Sequence, residues 1–196
     1  MRSFLPALLR NQRGGPATEF VLVLPITLLL VLGFGDLAYQ AYLESVLTGA
    51  VQKAGRDSTI QGAATQSSQI DQKVINAVKV AAPRATFVSS RANYDNYSEV
   101  GPEPFTDTNH NGARDRGECY SDVNANSQWD SDPGQQGQGG ASDVTVYKMQ
   151  ATFPRLFPFA WLVGWSQSVT ITASTVLKNQ PYATQTVNTV STICTP

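Results

Sequence analysis

The stretch DTNHNGARDRGE, residues 107–118, sets oxygen-bearing side chains at alternate positions ahead of a glycine. Asp107, Asn109 and Asn111 hold its first, third and fifth positions, Gly112 the sixth, Asp115 the ninth and Glu118 the twelfth, with the Ala113 carbonyl available at the seventh. Calcium takes about six to eight hard oxygens, and short alternating side chains on a tight turn supply them. A partial copy follows 15 residues later: Asp122, Asn124, Asn126, the Gln128 carbonyl, Asp130 and Asp132. It lacks the glycine, and Pro133 stands where the closing glutamate belongs. The repetition makes chance a poorer explanation than a single match would. Flanking helices are not evident, and Arg114 and Arg116 weaken the local negative potential. The expectation is therefore calcium held over 107–132 without a helix-loop-helix hand. The competing reading is a flexible Asx-turn loop that runs into a Gly/Gln linker at 134–140. His110, at the fourth position, reads as a surface residue and not as a ligand.

Little else in the chain could do chemistry. One histidine, two dispersed cysteines and no phosphate-cradling glycine motif leave nothing to assemble a catalytic centre, so no enzyme and no small-molecule substrate is expected. A net charge of −1 lacks the basic excess of a nucleic-acid binder. Cys119 and Cys194 form no CxxC motif; outside the cytoplasm they would suit a disulfide, and otherwise they read as two buried thiols.

The elements that position these residues begin with an N-terminal anchor. Residues 1–14 carry Arg2, Arg10 and Arg13 and no acid, whereas 95–143 are rich in Asp, Asn, Gly and Gln. Between Glu19 and Asp36 the run Phe20 to Gly35 is uncharged. Its sixteen residues span about 24 Å as a helix, a little short of a bilayer core unless the helix extends past Asp36 through Tyr39. Tyr39 and Tyr42 suit the far interface, and the arginines predict a cytoplasmic N-terminus with an exported body. A secretory signal would place its small residues after the apolar run. Here Gly14, Gly15, Pro16 and Ala17 precede it, so cleavage would remove the basic leader and keep the helix. Glu19 at the edge of an apolar helix needs a partner. After a cut behind Gly14 it becomes the fifth residue, and the new amino group of Gly15 on a neighbouring subunit could pair with it. A plain signal-anchor helix with an incidental Gly-Gly is the simpler alternative.

The run RGGPATEFVLVLP resembles the processing site of type IV-like prepilins, and most closely the TadE-like minor pilins of the tight-adherence (Flp-type) pilus. The resemblance is strongest over residues 10–35, with a weaker echo in ITASTVLKNQPY at 171–182. It implies that Gly14 precedes the scissile bond, that Gly15 is the new terminus and that Glu19 is the motif glutamate. It also implies a bacterial inner-membrane, single-pass minor pilin or pseudopilin. Its partners would be prepilin peptidase, other pilins, an inner-membrane assembly platform and the membrane itself. The major pilins of that system are much shorter, so a minor component fits better than the bulk subunit. The alternative is a membrane-anchored, extracytoplasmic, calcium-dependent binding or adhesion module that keeps its first 14 residues.

The expected organisation is a leader (1–14), a transmembrane and extended helix (15–60) and an exported head (61–196). Pro25 should loosen the helix, Gly33 and Gly35 allow close packing, and Leu43, Val46, Leu47, Ala50, Val51 and Ala54 form a stripe for the head. Residues 66–82 read as a second helix, with Ile70, Val74, Ala77, Val78 and Ala81 on one face. Strands are expected at Ala85–Ser89, Val144–Phe153, Val169–Leu177 and Thr184–Ile193, giving an α+β head with an antiparallel sheet. The core side of Val144–Phe153 is undecided by its pattern. Residues 154–165, PRLFPFAWLVGW, are very apolar for a loop between strands and read as core or as a patch touching membrane or a neighbouring subunit, with partner contact favoured.

Overall fold

The computed structural model describes residues 15–59, 66–157, 161, 164–181, 184–185 and 187–194, with side chains from Thr18 onward. The leader, including Gly14, lies outside them. Two compact units form: one takes the chain to Tyr42 together with Arg155–Gln167, and the other joins Leu43–Pro154 to Ser168–Pro196.

Helix α1, Gly15–Ser58, is continuous through Pro25. In the first unit its side chains from Phe20 to Phe34 are mostly exposed, including Phe20, Leu22, Ile26, Leu30 and Phe34. Among the described residues no polypeptide covers them, and the helix is long and apolar enough to cross a membrane. Gly35 lies under Phe157, where an added Cβ would come within 3.3 Å of the ring, whereas Gly33 meets nothing.

In the second unit Leu43, Leu47, Val51 and Ala54 of the expected stripe are buried, and Val46 and Ala50 are half-buried. Helix α2, Ser67–Lys79, buries Ile70, Val74 and Val78, while Ala77 is exposed. The sheet is antiparallel, in the order β3-β1-β4-β5, with β1 at Thr86–Tyr94, β3 at Gln135–Gln136, β4 at Val144–Pro154 and β5 at Ser168–Lys178. Along β4 Thr145, Tyr147, Met149, Ala151 and Phe153 are buried and Lys148 and Gln150 are exposed, while Val144 at the start of the strand is buried as well. Gly55 of α1 passes so close to β5 that a Cβ would sit 2.8 Å from Thr175 Cγ2.

Three expectations need correction. The first strand runs on to Tyr94, because its whole length pairs with β4 from Thr86↔Thr152 to Tyr94↔Val144. Residues 134–140 are not a free linker: Gln135 and Gln136 pair with β1, and Gln138 is buried. Among the described residues of Thr184–Ile193 only the end is strand. That strand, β6 at Ser191–Cys194, pairs with β2 at Cys119–Asp122 in a separate two-stranded ribbon.

Candidate functional site

The two Asp/Asn loops adopt one hydrogen-bonding scheme, atom for atom. In the first, Asp107 accepts from the backbone N–H groups of Asn111 (3.2 Å) and Gly112 (2.8 Å). In the second, Asp122 accepts from Asn126 (3.2 Å) and Ser127 (2.8 Å). Asn109 Oδ1 takes the Asn111 N–H, and Asn124 Oδ1 takes that of Asn126. Asn111 Oδ1 takes the Ala113 N–H, and Asn126 Oδ1 takes that of Gln128. The side-chain amides of Asn109 and Asn111 converge on Asp115 Oδ2, as those of Asn124 and Asn126 do on Asp130 Oδ2. Positions four and six turn through positive φ in both: His110 and Gly112, then Ala125 and Ser127. Ser127 therefore adopts the conformation for which glycine is the unstrained choice.

Sequence reasoning missed the residue that closes the second loop. In the first, Glu118 accepts from the N–H groups of Thr108 (2.7 Å) and Asp115 (2.9 Å). The equivalent groups of the second, Val123 and Asp130, donate to Glu103 at 2.9 and 3.0 Å. Glu103 thus takes the place that Pro133 cannot, and it is only 1% exposed. Asp132, expected in this ligand set, accepts instead from the Tyr94 hydroxyl at 2.6 Å. Burial, with Asp132 adding to it, pushes the Tyr94 hydroxyl well above the usual phenol range.

A signal for Glu103 does exist in the sequence. Started four residues earlier, the repeat reads E-P-F-T-D-T-N-H-N against E-C-Y-S-D-V-N-A-N, which aligns Glu103 with Glu118. Each repeat therefore lends its leading glutamate to the other's loop. Backbone bonds hold the leading segments side by side: Thr106 N–H to the Cys119 carbonyl and Ser121 N–H to that of Pro104, both 2.8 Å. Cys119 also faces Cys194 in the β2–β6 register, and the two form a disulfide.

The donor set suits a hard cation with mixed oxygen ligands. Among the described residues, no three His, Cys, Asp or Glu side chains gather closely enough to hold a metal on their own. Each loop instead joins carboxylates to carboxamides, a mixture calcium accepts readily and zinc or iron much less so.

At the other end of the chain Gly15 opens α1, and Glu19 is exposed one turn into it. Residues 15–56 match the TadE-like protein family. The chain is TadE-like over this segment. No curated protein and no solved structure matches the chain. A TadE-like segment associates the chain with the Tad pilus system, and the single N-terminal apolar helix fits a single-pass membrane anchor.

The second echo, around Asn179, has a clear structural role. The buried Asn179 amide donates to the carbonyls of Gln138 and Gly140, both at 2.8 Å, while Gln138 Nε2 reaches the Ser58 carbonyl at the end of α1. Asn179 thus ties the end of β5, the 134–140 segment and the α1 C-terminus into one polar knot.

Proposed function

We propose that the chain is a minor pilin or pseudopilin of a tight-adherence pilus, processed by prepilin peptidase between Gly14 and Gly15. The observation that carries this reading is an exposed Glu19 four residues beyond Gly15, on an otherwise apolar helix within the TadE-like segment. In a bundle of such helices the Gly15 amino group of one subunit meets the Glu19 carboxylate of the next. Their mutual neutralisation offsets the cost of taking either charge into lipid. The anchor lies in the bacterial inner membrane with the head outside the cytoplasm, and the partners are other pilins and the assembly platform. The role is structural and not catalytic.

The head, in this reading, binds calcium in two loops. Asp107, Asn109, Asn111, Asp115 and Glu118 hold one ion, and Asp122, Asn124, Asn126, Asp130 and Glu103 the other, with the Ala113 and Gln128 carbonyls completing each set. Calcium would stiffen residues 103–132 by drawing like-charged carboxylates together.

Mass spectrometry of the N-terminus, after co-expression with a prepilin peptidase, tests the processing. The expected mature chain begins at Gly15, and Gly14→Ala blocks its formation. A chain that keeps residues 1–14 under those conditions would instead be the anchored calcium-dependent binding module. Calcium titration with a thermal melt tests the loops, and a melt unmoved by chelator removes the ions from the account.

A further inference from the structure

The apolar run of α1 ends at Asp36, whose carboxylate is almost sealed from solvent at 4% exposure. The Arg155 guanidinium pairs with Asp36 Oδ2, the Leu156 N–H donates to Oδ1 at 3.1 Å, and Gln40 Nε2 donates to Oδ2 at 2.7 Å. Arg155 also closes the neck of the loop that it begins. Its Nε donates to the Ser166 carbonyl at 2.7 Å, its backbone N–H to that of Gln167 at 2.9 Å, and its guanidinium lies 5.0 Å from the Trp165 ring centre. One ion pair therefore pins both ends of the loop to a single level of α1. The pinned loop leaves Leu156 exposed, with Trp161 at 63% and Trp165 at 47%.

We propose that the loop Arg155–Gln167 is a second membrane contact, seating Trp161 and Trp165 in the headgroup layer of a phospholipid bilayer at the end of the span away from the N-terminus. This rests on the reading that α1 crosses the membrane, and it gives the pair Asp36–Arg155 a purpose. The run Phe20–Gly35, about 24 Å long, falls short of a hydrocarbon core of about 30 Å. Leu156, Trp161 and Trp165 add exposed apolar surface to the same compact unit as this run. Between Pro154 and Trp165 the one charged residue is Arg155, already paired, so the loop brings no lone charge to be stripped of water. Indoles settle at this depth because they join an apolar ring to a polar N–H.

The chain has three tryptophans, which makes the test internal. Full-length variants keeping Trp129, Trp161 or Trp165 alone, with phenylalanine at the other two positions, are reconstituted into vesicles. The quencher is phosphatidylcholine brominated near the carbonyl end of its acyl chains. Trp161 and Trp165 should be quenched at least twofold more than Trp129, which belongs to the second Asp/Asn loop. Asp36→Asn and Arg155→Gln should each lower that quenching while the chain still resists alkaline carbonate extraction. Equal quenching of all three tryptophans in a carbonate-resistant chain overturns the loop's role and leaves the anchor standing. So does weak lipid quenching accompanied by Trp161-to-Trp161 crosslinks between copies, which would assign the surface to a neighbouring subunit. Release of the chain by carbonate overturns the anchor itself, and the loop's role with it.

Discussion

Glu103 and Glu118 each remove a carboxylate from water to satisfy two backbone N–H groups, and such charge-assisted bonds are the strong kind. Truncating Glu103 would leave the buried Val123 N–H and that of Asp130 without acceptors. At about 1–3 kcal/mol for each of the two orphaned groups, Glu103→Ala should cost on the order of 2–6 kcal/mol. The same variant should reduce calcium stoichiometry from two to one, with Glu118→Ala emptying the other loop. Paired melts and titrations read both effects, and unchanged stoichiometry in Glu103→Ala would dismiss the shared-glutamate scheme. A second residue-scale expectation concerns Asp71. Burial raises its pKa, but hydrogen bonds from Arg91, Tyr147 and Ser89 outweigh that and hold it below the usual carboxylate value. A depressed folded pKa contributes stability above the unfolded value, about 3.9, and loses it as pH falls through the folded one. Asp71→Asn should therefore be less stable at neutral pH and should lose less on acidification from about pH 5 to about pH 2. Parallel acid profiles for the two proteins would remove Asp71 from the acid response.

At the scale of elements, two glycines of α1 make opposite demands. A Cβ at Gly55 would meet Thr175 Cγ2 at 2.8 Å and Leu177 Cδ2 at 3.1 Å, whereas one at Gly49 meets nothing within 4 Å. Gly49→Ala should thus stabilise by up to about 1 kcal/mol through helix propensity. Gly55→Ala gains the same propensity but must push β5 away, and overpacking costs about 1–3 kcal/mol, so the net change should be a loss. Thermal melts in one detergent compare the pair; a stabilised Gly55→Ala would mean that α1 and β5 separate readily. What could be read in advance follows the same division between local and distant causes. The stripe Leu43, Leu47, Val51, Ala54 and the alternating Asp/Asn loop of 107–118 were legible because each pattern is complete within a few turns of chain. Glu103 was overlooked because its partners Val123 and Asp130 lie beyond the whole first loop, and only the 15-residue repeat marks it. A strand near β6 and a Cys119–Cys194 bridge could be expected, but not β2 as its partner, which lies 75 residues away. Asp36 looked like the edge of a span, and only Arg155, brought back after four strands, makes it a fixed point.

For the molecule as a whole, the bridge between Cys119 and Cys194 links topology to stability. A two-stranded ribbon is marginal by itself, and β2–β6 is four residue pairs long. Closing a loop of this length typically contributes about 2–4 kcal/mol, chiefly by restricting the unfolded chain. Asp122, the last residue of β2, is also the first position of the second Asp/Asn loop, so a loosened ribbon frees a ligand. Cys194→Ser should lower the melting midpoint by roughly 5–15 °C. It should also weaken calcium at the second loop more than at the first. A disulfide of this kind persists only in an oxidising compartment. The head should accordingly carry no alkylatable thiol in intact cells until a reductant is added, whereas a chain from Leu43 onward, lacking the apolar run and kept in the cytoplasm, should carry two. Mass tagging with a maleimide before and after reduction distinguishes the cases. Two free thiols on the membrane-inserted, unreduced chain would place the head on the cytoplasmic side and reverse the orientation that the pilus reading requires.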